Sequence, residues 1–450
     1  MPGPLRQMLH KPGSAMNDSR KNIFVFGLDD FHRADLESMP RAGEYRFHQL
    51  LTFEQATRAD LHPTHDMLPE AERILESFDG SVDAVITHWD FPSTVMTPIL
   101  RKRLDQPGPS VEAALKCEHK YWSRVEQKRV APDVVPPFAA VNPFDDDPLA
   151  DLDLDFPFWL KPVTAHSSSL GFLIEDRRDF DKALPKIRDR IHLFGEPVNY
   201  LMGFADVPDE IRPVDGYHCI AEGIISRGRQ CTLEGYRYQG EFEIYGVIDT
   251  IRDRHVQSVL SRYQYPSAIP RDTQARMKEI ATDVLDGFGY DDAPFNVEFY
   301  WDRDSGDLAL LEINGRISQS HCPLFALVDG ASHQQVVIDL ALGNRPQPPH
   351  REGDHKVAAK FMMRVFEDGI VAHAPGPGDE KLLEEHFPEA RFECHVRDGQ
   401  SLEELPFQDS YSYNIADVYL GAHDQHELLE KYDTTKQLMP LEILRRPEIV

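Results

Sequence analysis

Cysteine is scarce. The 450 residues hold five (Cys117, Cys219, Cys231, Cys322 and Cys394), an odd number, scattered, with no C-x-x-C pair. That excludes a disulfide framework and a thiolate zinc site and fits a reducing compartment. No run of about 20 apolar residues is present to cross a bilayer as a helix. Positive charge is short as well: 48 Lys and Arg stand against 76 Asp and Glu, a formal net charge of −28. Such a balance argues against a general nucleic-acid-binding surface and against anionic membranes, although a local basic pocket stays compatible with it. Internal repeats and low-complexity tracts are absent. Residues 1–20 mix Pro, Gly, Lys and Arg without a continuous apolar core, so a disordered lead-in is expected rather than a secretory signal. A cytoplasmic location is the corresponding expectation.

What is present reads as an ordinary globular chain, 41% hydrophobic and 28% charged, long enough for about two or three domains. Asn22 to Leu28 and Val82 to Thr87 are short apolar runs, ending in Asp29-Asp30 and in His88-Trp89-Asp90. Leu68 to Phe78 carries helical spacing between them. Strand, helix and strand in that order predict a small α/β domain with a parallel sheet over 21–110. Ligand groups gather beyond the strand ends of such sheets, which singles out Asp29, Asp30 and Asp90; capping of helices is the other use for these acids. Val111 to Gln127 is helical and carries Lys116 and Lys120. Phe156 to Leu160 is a strand leading to Lys161, a costly place for a charge without a function. Thr164 to Gly171 follows, a loop whose Ser167, Ser168 and Ser169 could offer N–H and O–H donors to phosphates or form a plain surface loop. Later segments predict strands at Tyr217–Ile225, Gln230–Arg237 and Glu241–Asp249, a helix at Arg271–Leu285 and another at Ala331–Leu342. Further strands are expected at Val357–Phe366, Ala390–His395 and Ser412–Leu420, with a helix at His423–Lys431.

The densest chemistry lies between Ala293 and Arg316. Phe295, Val297, Phe299 and Trp301 alternate with Asn296, Glu298 and Tyr300, the period of a half-buried strand. Arg303 to Asp307 is turn chemistry, and Leu308 to Ile313 is a second strand. With the turn centred on Ser305, Glu298 faces Glu312 and Asn296 faces Asn314. Facing residues have Cβ atoms about 5 Å apart, and like charges there repel. Two such carboxylates call for a cation, and Glu312 and Asn314 offer oxygens to the same side, as Mg2+ prefers. The alternative is a solvated hairpin whose acids keep a sheet edge soluble.

In this order the parts resemble the ATP-grasp superfamily, in particular its carboxylate–amine ligases, over roughly residues 20–430. The most specific match is an acid on one strand followed by Glu-x-Asn-x-Arg, here Glu298, Glu312, Asn314 and Arg316. The resemblance implies an α/β ATP-grasp fold with an N-terminal pre-ATP-grasp domain (21–110), the ATP-grasp domain (111–346) and a small C-terminal α+β region (350–450). It implies Mg2+, or Mn2+ in its stead, held on ATP by Glu298, Glu312 and Asn314. Arg316 would lie by the transferred phosphate and the substrate carboxylate, with Lys120 and Lys161 as the nucleotide lysines. Thr164 to Gly171 would be the phosphate loop, with one glycine where the family commonly has several. Glu222 and Gln230 would meet adenine and ribose. Gln230 stands where a ribose-binding Glu is usual, and Glu234 is a second candidate. The activity implied is ADP-forming ligation of a small carboxylate to an amine, with amino acids among the candidates and a homodimer as the candidate assembly. Two alternatives are a carboxylase-like enzyme, for which no biotin-carrier segment is present, and a nucleotide-binding protein without turnover. Ser318, Ser320, His321 and Arg262 are further candidates to touch substrate.

Overall fold

A computed structural model describes residues 19–57, 62–150, 152–165, 170–225, 228–253, 256, 259–405, 408 and 412–445. Ser167, Ser168 and Ser169 therefore lie outside the described residues. The first layer is a parallel sheet ordered Tyr45–Leu50, Lys21–Phe26, Ala84–Ile86. Its outer strand Tyr45–Leu50 is absent from the sequence reading, because YRFHQL is mostly polar and its inner positions are only part buried. The helix Thr64–Ser77 packs Met67, Leu68, Ala71 and Leu75 onto Phe24, Phe26 and Val85.

Two antiparallel sheets follow. One has the order Phe138–Val141, Cys219–Gly223, Phe158–Pro162, Phe172–Ile174. The other has eight strands: Leu308–Asn314, Ala293–Trp301, Arg229–Tyr238, Glu241–Arg252, Leu260–Tyr265, Val357–Val365, Tyr413–Ala422, Arg391–Cys394. The strands expected in the C-terminal region thus continue the large sheet. Between the two sheets runs a helical segment that sequence periodicity reads as continuous from Val111 to Gln127. It is two helices, Val111–Glu118 and Lys120–Val130. His119 leaves helical geometry (ψ 95°), and its ring accepts from the Trp122 N–H, capping the second helix. The Lys120 N–H goes to Val163 O at 2.7 Å instead of to the preceding turn.

The organising hairpin forms as its period demands. Phe295, Val297 and Phe299 are fully buried against Met277, Ala281, Val284 and Leu285 of the helix Arg271–Phe288. Each such aromatic contributes about 2–3 kcal/mol of burial, which fixes which face of the strand turns inward. A slip of one residue would bury Asn296 and Glu298 in that core instead. Gly289 ends the helix in the left-handed region (φ +65°). No described helix is long and apolar enough to cross a membrane.

Candidate active site

With Phe295 and Val297 committed to the core, the opposite face of the sheet collects the polar groups. The observed register pairs Asn296 with Asn314 and Glu298 with Glu312, as the turn chemistry predicts, then shifts by one beyond Glu298. Leu311 is the extra residue of that bulge. Its carbonyl and that of Leu310 are not left open: Arg124 donates to Leu310 O (2.9 Å) and Leu311 O (2.8 Å). The same guanidinium reaches Glu222 Oε1 at 2.7 Å. Arg124 therefore ties the hairpin to the four-stranded sheet. Sequence reasoning missed it, although its place four residues after Lys120 on one helix face is a signal that could have found it.

Three cations converge on this face, each with an acid. Lys120 Nζ donates to Glu312 Oε1 (2.9 Å) and to Ala165 O (3.0 Å). Lys161 Nζ meets Glu222 Oε2 at 2.6 Å. Arg316 Nη2 meets Asp90 Oδ2 at 2.7 Å. Asp90 is thus the acid of the first sheet's strand ends that reaches the hairpin. Asp29 instead caps the helix Asp30–Glu37 and holds His32 Nδ1 at 2.6 Å, and Asp30 lies in that helix's first turn. Glu222 and Gln230, expected at adenine and ribose, carry other contacts here. Burial pushes Glu222 up, but Arg124 and Lys161 outweigh it and hold the carboxyl at about 2. Gln230 donates to Glu298 Oε2 (2.8 Å) and accepts from Arg252 Nη2 (2.6 Å) and from the Tyr300 hydroxyl (3.2 Å). Gly228, left-handed at φ +85°, lets the chain enter this strand beside Trp301 O, where a Cβ would stand 2.2 Å away.

The donor set fits a hard divalent cation. Burial, and then the facing Glu312, push Glu298 up to about 7. Burial also works upward on Glu312, but Lys120 and Lys161 hold it below its ordinary value. The Asn314 amide nitrogen is spent on Asn296 Oδ1 (2.7 Å), so its carbonyl oxygen is the atom it can offer. Oxygen donors alone, with two carboxylates crowded across one pair of strands, suit Mg2+. Arg262 lies on the Leu260–Tyr265 strand with its guanidinium 5.6 Å from the Phe361 ring, and Ser320 accepts from Lys360 (3.0 Å).

A family model described as an ATP-grasp domain matches residues 154–323, a span that holds Lys161, the hairpin and Arg316. The chain carries an ATP-grasp domain. Solved structures of the same fold extend the likeness to nearly the whole chain. An L-amino acid ligase from Bacillus licheniformis is 16% identical with a TM-score of 0.67, covering 95% of this chain and 100% of its own. A biotin carboxylase from Campylobacter jejuni is 16% identical with a TM-score of 0.61, covering 94% and 92%. A phosphoribosylglycinamide synthetase from Anaerococcus prevotii is 12% identical with a TM-score of 0.60, covering 94% and 100%. At such identities the likeness is one of ATP-grasp fold. A search of curated sequences finds no match.

Proposed function

We propose that this ATP-grasp protein is an ADP-forming carboxylate–amine ligase that acts on small molecules and passes through an acyl phosphate. The observation that carries the reading is the convergence of Lys120, Lys161 and Arg316 on the hairpin face that holds Glu298, Glu312 and Asn314. ATP and a carboxylate repel each other, so their reaction needs this density of positive charge before phosphoryl transfer can occur. Glu298, Glu312 and Asn314 would hold Mg2+, which when bound supplies charge neutralisation on the phosphate oxygens. Lys120 and Lys161 serve the phosphates, and Arg316 the transferred group and the carboxylate. One carboxylate oxygen attacks the γ-phosphorus, and the bond to the β-phosphate oxygen breaks with its electron pair leaving on ADP. An amine then attacks the acyl carbon and phosphate departs.

A cysteine nucleophile has no support: burial raises the thiols of all five cysteines, which makes thiolates scarce. Positioning and electrostatics account for the chemistry instead. The test supplies carboxylates labelled with heavy oxygen, bicarbonate and the common amino acids among them, together with ATP, Mg2+ and amines. ADP together with label in inorganic phosphate is expected. AMP and pyrophosphate as products would sink the acyl phosphate.

A further inference from the structure

Beside the metal set, one cross-strand row along the sheet, lies a carboxylate that the proposed phosphoryl chemistry leaves unused. Glu234 pairs in register with Asn296, so it sits on the same face as Glu298. It is fully buried. Its Oε1 holds His321 Nδ1 at 2.7 Å and accepts from the Ser318 N–H at 3.3 Å. Its Oε2 has no hydrogen-bond partner among the described residues, with His333 Nδ1 3.8 Å away. His321, 2% exposed, likewise leaves Nε2 without a partner. Buried polar atoms left unanswered are costly, and such groups in a folded protein call for a ligand, an ion or a water.

The surroundings fix where these atoms lie. Ser318 is held from both sides, its N–H by Glu234 and its carbonyl by His333 Nε2 (3.1 Å), while Tyr245 holds His333 Nδ1 (3.1 Å). That fastens the loop from Arg316 to His321 to the sheet. The Tyr263 ring lies edge-on to His321, 4.7 Å between centroids. With Nδ1–H directed at Glu234, the tautomer leaves Nε2 as an acceptor. Burial raises Glu234 well above the ordinary carboxyl value in the free protein, and an arriving cation is what returns the carboxylate; Oε2 and Nε2 are then both acceptors. A primary ammonium, three donors on one charge, is the complement.

We propose that Glu234 and His321 form the subsite of the acceptor amine. Glu234 Oε2 accepts from its ammonium, and His321 Nε2 takes the proton the amine must lose before it attacks. This rests on the ligase reading. The ammonium gives one proton to His321, and the freed lone pair forms the C–N bond. The acyl C–O bond breaks, and the departing phosphate takes the second proton. The groups that face His321 are Glu234 from Arg229–Tyr238, His333 from the N-cap of the helix Gln334–Ala341, Lys360 from Val357–Val365, Tyr263 from Leu260–Tyr265, and Arg316 from its own loop. Burial, then His333, Lys360 and Arg316, hold His321 well below its ordinary value in the free protein. An acyl phosphate neutralises part of that positive field, so the imidazole becomes a better base once substrate is present.

The test compares two nucleophiles on one activated acid. The full-length protein is given ATP, Mg2+ and the twenty common amino acids, with or without hydroxylamine, which is neutral at assay pH and needs no base. His321→Gln, His321→Asn and Glu234→Gln should each lower dipeptide formation at least about 100-fold, the ordinary worth of a general base. Hydroxamate formation should stay at the wild-type level, and imidazole should restore dipeptide synthesis to His321→Ala. Equal loss of dipeptide and hydroxamate would mean that the pair only shapes the Arg316 loop, and would overturn the subsite. Unchanged dipeptide formation would overturn it too. If a substitution prevents folding, the imidazole response of the variants that do fold decides. Wild type that yields no hydroxamate with any acid refutes the ligase reading first, and the subsite with it.

Discussion

Glu222→Gln tests the electrostatic frame of the site without removing volume. The carboxylate lies between Arg124 and Lys161, 6% exposed. Burial alone would raise its pKa; the two cations reverse this and lower it from the ordinary 4.5 to about 2. A drop of that size corresponds to about 3 kcal/mol of folding free energy. A depressed carboxylate stabilises in full above its unfolded value and loses that contribution as pH falls through the folded one. The difference between wild type and Glu222→Gln should therefore be about 3 kcal/mol at pH 7, shrink below about pH 4.5 and nearly vanish by about pH 2. Leaving Arg124 and Lys161 buried without a counter-charge makes this a lower figure. Urea unfolding followed by tryptophan fluorescence at several pH values measures it as a lowered midpoint at unchanged slope. Equal midpoints at pH 7, or a gap constant down to pH 2, would refute the reasoning.

Glu312→Gln should abolish ADP formation while circular dichroism stays near wild type, with the unfolding midpoint lowered because Lys120 loses its partner; wild-type turnover at saturating Mg2+ would count against the metal set. Lys161→Ala should raise the KM for ATP with little effect on the carboxylate's KM, and steady-state kinetics that show equal losses for both would move Lys161 elsewhere. Mg2+ affinity should fall as pH drops below about 7, because Glu298 then takes a proton that the cation must displace. Calorimetric titration at pH 8 and pH 6 checks the sign, and tighter binding at pH 6 would contradict it.

The hairpin was legible because two simple constraints agree on it. A period of two puts Phe295, Val297 and Phe299 on one face, and the turn at Arg303–Asp307 sets the register opposite. The bulge at Leu311 was not legible: alternation looks the same with one residue extra, and the compensation comes from Arg124, nearly two hundred positions earlier. Tyr45–Leu50 was missed because parallel edge pairing needs no apolar run. His119 hid a helix break inside a helical pattern, since one side-chain cap decides it and periodicity does not. The acids beyond the strand ends of the first sheet were legible as a group but not by role: chain geometry gave Asp29 to a helix and Asp90 to Arg316. Contacts between distant segments carry no local signature, and the site is made of them.

The pairing of each cation with an acid has a consequence for how ligands enter. Lys120, Lys161 and Arg316 would be costly to hold unpaired at their low exposure of 15%, 23% and 16%. Glu312, Glu222 and Asp90 remove that cost in the free protein. On the proposed reading, ATP enters by exchange of partners: a phosphate takes Lys120 from Glu312, and the released Glu312 is then free for a divalent cation. Either ligand alone leaves one side of the exchange unanswered, an exposed demand on Lys120 or a second charge beside Glu298. Together they satisfy both. Nucleotide and metal should therefore bind with positive coupling, each tightening the other by an equal factor. The coupling has its physical seat in the 2.9 Å contact between Lys120 and Glu312, where one acid serves the lysine in the empty state and the metal in the loaded one.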